Sequence, residues 1–187
     1  MQLYKHDTEQ HIVQLFGRGD ASAMSRLYAE YARYLTGVCA RYIPDADDRK
    51  DVLQEAFIQI YTQMPTFVYR GRGSLRAWVT RIVVNQALMF IRRHAQLATV
   101  EADATLPDVP EEEPAVDELS EDDILTLIQQ LPAGYRMVFN LYAIEGKTHG
   151  EIAQLLGIRP DSSASQYARA RRLLAKMIND YRLKTKR

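Results

Sequence analysis

The side chains with chemistry to offer in this 187-residue chain are hydroxyls, amides and guanidinium groups, set out at helical spacing. Between Thr148 and Leu174 the sequence runs THGEIAQLLGIRPDSSASQYARARRLL. Thr148 and Glu151 have the spacing of a capping box, in which each side chain satisfies a backbone amide at a helix start. Ile152, Leu155 and Leu156 give the short helix beyond it an apolar face. Gly157 suits a left-handed stop, and Pro160 with Asp161 suits the start of a second helix. That second helix separates into two faces. Ser163, Tyr167, Ala170, Leu174 and Met177 fall on the side expected to pack inward, and Ser162, Ser165, Gln166, Arg169, Arg172 and Lys176 fall on the other. Short hydroxyls and an amide near the helix start, with arginines further along, fit a helix lying in a DNA major groove. The small groups reach base edges while the guanidinium groups engage phosphates. An ordinary helical hairpin with a solvated basic face is the competing reading.

A second set of donors lies upstream. Pro65 to Gly73, PTFVYRGRG, combines aromatic rings, arginines and flexible glycines. Ser74 can cap a helix running to about His94, with Leu75, Trp78, Val79, Ile82 and Phe90 inward and Arg81, Asn85, Met89 and Arg92 on its other side. Arginine and asparagine beside an aromatic loop suit splayed single-stranded bases, which stack on rings and bond to amides while guanidinium holds the backbone. Trp78 lies on the apolar face and is read as core. In the preceding helix, Asp48 to Met64, the residues Leu53, Ala56, Phe57, Ile60, Tyr61 and Met64 face the core. Asp51, Gln54, Glu55, Ile58 and Thr62 are left outside. Ile58, an apolar residue ringed by carboxylates and amides, marks either a docking patch for a basic partner helix or a surface that a neighbouring helix covers.

Other chemistries find little support. His6, His11, His94 and His149 lack metal-ligand spacing, and Glu151 is better used as a cap. No glycine-rich phosphate loop or nucleophile motif occurs, so neither an enzyme nor a cofactor is expected. Cys39 is the single cysteine, which excludes an intrachain disulfide and fits a reducing cytoplasm. No run approaches the roughly 18 apolar residues of a membrane span, and the N-terminus does not read as a signal peptide.

The formal net charge is zero, but its distribution is not even. Pro65 to Leu97 holds six arginines and no acid, Ala98 to Asp123 eleven acids and no base, and Ile124 onward eleven bases against four acids. Phosphate binding depends on local charge, so two basic blocks around an acidic one point to two nucleic-acid-facing modules.

The elements that must position these residues are all helical. A short helix is expected over Thr8 to Phe16 and a long amphipathic one over Ala21 to Tyr42, with Met24, Leu27, Tyr28, Tyr31, Leu35, Val38, Cys39 and Tyr42 inward. Ala98 to Ser120 carries acids, prolines and few large apolar residues. It is expected to be a flexible linker, either extended, folded back on the basic faces, or lying in a basic channel of a larger partner. Helix resumes at Glu121, with Ile124, Leu127, Ile128 and Leu131 in a stripe ending at Pro132. A further helix over roughly Tyr135 to Glu145 buries Val138, Leu141 and Tyr142. The expected fold is all-α, with helical domains at 1–97 and 121–187 joined by the linker at 98–120.

Taken together, these stretches resemble an RNA polymerase sigma factor of the extracytoplasmic-function (ECF) group of the sigma-70 family. DVLQEAFIQIY, Asp51 to Tyr61, is similar to the family's polymerase-binding helix. GSLRAWVTRIVVNQA, Gly73 to Ala87, resembles its promoter-melting and minus-ten-reading segment. LPAGYRMVFNL with the helix-turn-helix is similar to its domain four. The resemblance implies that Asp51, Gln54, Glu55 and Ile58 dock on the coiled coil of the beta-prime clamp of core RNA polymerase. It implies that the loop Tyr69 to Ser74, with Arg70 and Arg72, takes an extruded base, and that Arg81 and Asn85 touch the minus-ten element. Ser162, Ser165, Gln166 and Arg169 would read the minus-thirty-five duplex with Arg172 on phosphate, and the domain-four core would meet the beta flap. An anti-sigma factor partner is implied as well. Three positions depart from the family's pattern: Asp161 stands where glycine is usual, Ala164 where a basic residue is usual, and Met89 where Asp or Asn is common. The alternative is a self-sufficient helix-turn-helix regulator binding operator DNA as a dimer, which leaves the basic helix after Ser74 and the Ile58 patch unexplained.

Overall fold

The computed structural model describes residues 8–95 and 119–185. All but Leu119 and Ser120 of the expected linker, Ala98 to Ser120, therefore lies outside the described residues. The chain divides into two compact units, Met1–Phe90 and Ile91–Arg187. All regular structure among the described residues is helical.

In the first unit α1 (Thr8–Gly17) packs on α2 (Ala23–Ala40), which packs on α3 (Ala46–Gln63). A single 3-10 turn (Met64–Thr66) and a loop lead into α4 (Ser74–Ala95). Asp45 caps α3, accepting from the amides of Asp47 and Asp48 at 2.9 Å each. The core is built from Leu27, Leu35, Ile60, Leu75, Val79 and Val83, all inaccessible to solvent. Each contributes about 1.5–3 kcal/mol relative to exposure. Cys39 is fully buried, and burial pushes its thiol up to about 11, so it behaves as a small apolar side chain.

Two tyrosines depart from the helical pattern: Tyr28 and Tyr61, expected inward, are 56% and 61% exposed. The apolar arc of α3 is wider than the core it faces. Val52, Ala56 and Ile60 take the core, and the neighbouring row of Leu53, Phe57 and Tyr61 spills onto the flank toward α2. There the two helices leave an open, mainly apolar groove of about 730 Å³, where the Tyr28 and Phe57 rings meet at 5.0 Å.

The second unit consists of α5 (Glu121–Gln129), α6 (Ala133–Phe139), a π-helical turn (Asn140–Ile144), α7 (His149–Leu156) and α8 (Pro160–Thr185). Ser120 and Asp123 form a capping box at the start of α5. The Tyr181 hydroxyl, far along α8, donates to Asp123 Oδ1 at 2.5 Å. Leu127, Ile128 and Leu131 pack against Ala170 and Leu174. The buried Arg136 guanidinium donates to the carbonyls of Gln129 and Leu131 at 2.7 and 2.9 Å, tying the end of α5 to α6.

The continuous helix expected over Tyr135 to Glu145 is interrupted. At its end the Glu145 amide reaches back five residues to the Asn140 carbonyl, and the Asn140 side chain donates to the Arg136 carbonyl. The wider turn shifts the register of the residues after Asn140. Leu141 stays buried, but Tyr142, expected in the core, is 38% exposed and stacks on His149 at 4.4 Å.

Candidate nucleic-acid interface

The helix-turn-helix begins with the reciprocal bonds its sequence announces. The Thr148 amide donates to Glu151 Oε2 at 2.8 Å, and the Glu151 amide donates to Thr148 Oγ1 at 3.2 Å. The Thr148 amide and hydroxyl hold the Glu151 carboxyl below the usual carboxylate range. Gly157 stops α7 at φ +67°, and Pro160 opens α8. Ser163 is fully buried, its hydroxyl 3.0 Å from His149 Nδ1, which links the first turns of α7 and α8. Tyr167 packs between Phe139 and Tyr142, at 6.2 and 4.4 Å.

With that side committed inward, Ser165, Arg169, Arg172 and Lys176 are exposed and Ser162 is half-buried. Ser162 to Arg172 spans about 15 Å of helix, enough to track several base pairs of a groove. Gln166 is half-buried, its side-chain oxygen in van der Waals reach of where a Cβ on Gly134 would stand. The start of α6 thus limits its swing. Ala164 is exposed on the first turns of α8, where it offers no hydrogen bond. Arg159, in the turn before α8 and not singled out by the sequence pattern, is exposed and pairs at 3.7 Å with Asp161. A pair this open is worth little and leaves the guanidinium available.

Arg81, Asn85, Met89 and Arg92 are all exposed along one stripe of α4. Arg70 and Arg72 are exposed in the preceding loop, and Tyr69 is half-buried. Trp78 is half-buried and packs on Phe67 at 4.9 Å, anchoring the base of the loop, in line with a packing role. Ser74 differs from expectation. It is the first residue of α4, and its hydroxyl donates to the Gly71 carbonyl at 2.6 Å and accepts from the Arg70 amide at 3.2 Å. Its oxygen closes the loop instead of capping the helix.

The cap comes from Glu9 of α1, 9% exposed, whose carboxylate accepts from the amides of Gly73, Leu75 and Arg76. The Tyr31 hydroxyl donates to Glu9 at 3.0 Å, and burial, then this bond, drives the phenol well above its ordinary value. Neither Glu9 nor Arg76, whose guanidinium lies 4.0 Å over the Tyr34 ring, carries a local sequence signal, because their partners are on other helices.

On α3, Asp51, Gln54, Glu55 and Ile58 are exposed, Ile58 by 53%. Among the described residues no neighbouring helix covers Ile58, and it stands at the rim of the apolar groove with Gln54. Also among the described residues, no three His, Cys, Asp or Glu side chains are placed to hold a metal ion, and no helix is long and apolar enough to cross a membrane.

The fold and its surfaces describe a two-unit helical protein with a helix-turn-helix in one unit and, in the other, an apolar groove and the start of a helix that carries a basic stripe. Comparison with known proteins gives this class its family. The family model for Sigma-70 region 2 matches residues 27–96, and that for Sigma-70, region 4 matches residues 121–174. The RNA polymerase sigma-H factor of Pseudomonas aeruginosa is 30% identical over 185 residues, spanning 92% of this chain and 94% of that protein. The ECF RNA polymerase sigma-E factor of Haemophilus influenzae is 29% identical over 184 residues, spanning 91% and 95%. Among solved structures, a chain in the complex of CnrH with the cytosolic domain of CnrY aligns with TM-score 0.50 at 22% identity, covering 93% of this chain and 99% of that one. A chain in the complex of the sigma factor RpoE with the anti-sigma factor NepR from Bartonella quintana aligns with TM-score 0.51 at 18% identity, covering 85% and 98%. The chain belongs to the sigma-70 family of RNA polymerase sigma factors, in its ECF group. It acts in transcription initiation.

Proposed function

We propose that this sigma factor directs core RNA polymerase to promoters by gripping two DNA elements in two physical states. Residues 1–97 act as domain two, 98–120 as an acidic strap and 121–187 as domain four. Domain four reads the minus-thirty-five element as duplex, with Ser162, Ser165, Gln166 and Arg169 toward base edges and Arg172 on phosphate. Domain two takes the minus-ten element as single strand. Tyr69, Arg70 and Arg72 surround an extruded base, Ser74 shapes the loop, and Arg81 and Asn85 contact the strand alongside. Asp51, Gln54, Glu55 and Ile58 dock on the beta-prime clamp coiled coil, and domain four meets the beta flap. The observation that carries this reading is Ile58, half exposed at the mouth of an apolar groove and flanked by carboxylates. An exposed apolar residue ringed by carboxylates and amides fits a protein partner that presents a basic helix.

Strand separation is driven by binding energy. Extruding a base costs a few kcal/mol, which stacking and guanidinium contacts in domain two offset. Holding both grips on one polymerase makes the second contact intramolecular and raises its effective concentration. The chemistry of RNA synthesis belongs to the polymerase, and this chain contributes no cofactor and no catalytic group. The family resemblance supports a cytoplasmic protein held in check by an anti-sigma factor, and the solved relative RpoE is in complex with one.

The test is reconstitution. Core polymerase with this protein should initiate from a defined subset of a promoter library in run-off sequencing, and core polymerase alone should not. Tight operator binding by the free chain at physiological salt, with no effect on polymerase, would overturn the reading.

A further inference from the structure

We propose that Glu9 is the positioning residue for the loop Tyr69 to Ser74, so that α1 governs capture of the melted strand without touching DNA. This rests on the reading of that loop as a single-strand contact. Four donors converge on the two carboxylate oxygens. The Gly73 and Leu75 amides reach Oε2 at 2.8 and 3.2 Å, and the Arg76 amide and Tyr31 hydroxyl reach Oε1 at 3.3 and 3.0 Å. Three of the four are backbone amides at the N-terminal end of α4, which the helix itself cannot satisfy and whose partial positive charge favours an anion. A residue just before the helix usually supplies this cap. Here that place is held by Gly73, at φ +90°, which has no side chain.

The loop needs such an anchor. Gly71 and Gly73 lie at φ +108° and +90°, and a Cβ built on either would meet no heavy atom within 4 Å. Packing at these two positions therefore does not set the loop's path. The Ser74 hydroxyl closes the loop on itself and travels with it. Glu9 instead ties it to a different helix, 64 residues away in the chain. A carboxylate suits this place best. A glutamine of the same shape offers one accepting oxygen and one donating nitrogen: toward Oε2 the nitrogen would face the Gly73 and Leu75 amides, and toward Oε1 it would face the Arg76 amide even if the Tyr31 hydroxyl turned to accept from it.

The test uses the full chain assembled with core RNA polymerase, and a single-stranded non-template oligonucleotide carrying the minus-ten element of a promoter it transcribes. Glu9→Gln should weaken oligonucleotide binding about tenfold or more, the scale of bonds to a charged group, with association to core polymerase unchanged. Amide exchange at Gly73, Leu75 and Arg76 should quicken. Glu9→Asp should recover part of the affinity, and Tyr31→Phe, which leaves the carboxylate in place, should lose less than Glu9→Gln. Loss of polymerase association together with oligonucleotide binding in Glu9→Gln would make the carboxylate a general fold element and overturn the proposal. Tyr69→Ala and Arg72→Ala separate the two claims. If they lose oligonucleotide binding while Glu9→Gln keeps it, the loop reading stands and positioning by Glu9 falls. If they bind as the parent does, the loop reading falls and the proposal with it.

Discussion

The two surfaces offered to DNA are held in place by different means. The reading face of α8 is set out by its own turn, with the Thr148–Glu151 box, Gly157 at its left-handed stop and Ser163 bonded to His149, while its inner side packs on α5 and α6. The loop before α4 rests on Glu9 and Tyr31, which belong to other helices. A duplex is a regular object, and a rigid helix preset by its own turn suits it. A splayed strand has to be met by an irregular loop, whose conformation comes from the surrounding fold. Local signals therefore announce the duplex reader, whereas the single-strand reader depends on a contact from another helix that no local pattern marks.

Substitutions sharpen that contrast. The largest expected effect is common to both grips. Ile58→Asp puts a charge into the apolar rim and should weaken core polymerase association about thirtyfold or more, as for a central interface residue, measured by fluorescence anisotropy. Arg169→Ala should cost about tenfold in promoter affinity and relax the preferred minus-thirty-five sequence in a promoter library, with strand opening on a pre-melted template unchanged. Asn85→Ala should act the other way round, lowering permanganate reactivity in the minus-ten region several-fold while closed complexes form as before. If opening is normal in Asn85→Ala, its assigned role is wrong. Thr148→Ala should be milder, removing a cap worth about 1 kcal/mol and lowering the unfolding midpoint by a few degrees.

Acid should act on the same caps. Asp45, Asp123 and Glu151 are all held below the ordinary carboxylate range by the hydroxyl and amide donors around them. A depressed pKa stabilises the folded state fully above the unfolded value and loses that contribution as pH falls through the folded one. Helical circular dichroism should therefore be flat above about pH 5 and begin to fall as pH drops below about 4. In Thr148→Ala the Glu151 share of that acid loss should be smaller.

The same contrast decides how much of the molecule is legible in its sequence. The all-helical fold, both faces of α8 and the exposed stripe of Arg81, Asn85 and Arg92 come from periodicity and capping, which act over a few residues. Tyr28 and Tyr61 read as core because helical spacing says which residues are apolar together, and not how much of that arc a neighbour will cover. Tyr142 escapes its expected place because a π-helical turn has no strong local signature, and one wide turn re-aims the side chains beyond it. Ser74 has the right residue type for a cap, but a carboxylate from α1 occupies the amides it would have served. Glu9 itself is one acid among several near the start of the chain, and nothing in its local pattern marks it.

The division of labour between duplex and single strand is tested most directly by site-specific photocrosslinking. With a crosslinker in place of Arg169 or Asn85, in open complexes of core polymerase with this chain, position 169 should trap paired DNA of the minus-thirty-five element. Position 85 should trap the non-template strand of the melted minus-ten region. Crosslinks from both positions to the same duplex segment, or from neither to promoter DNA, would contradict it.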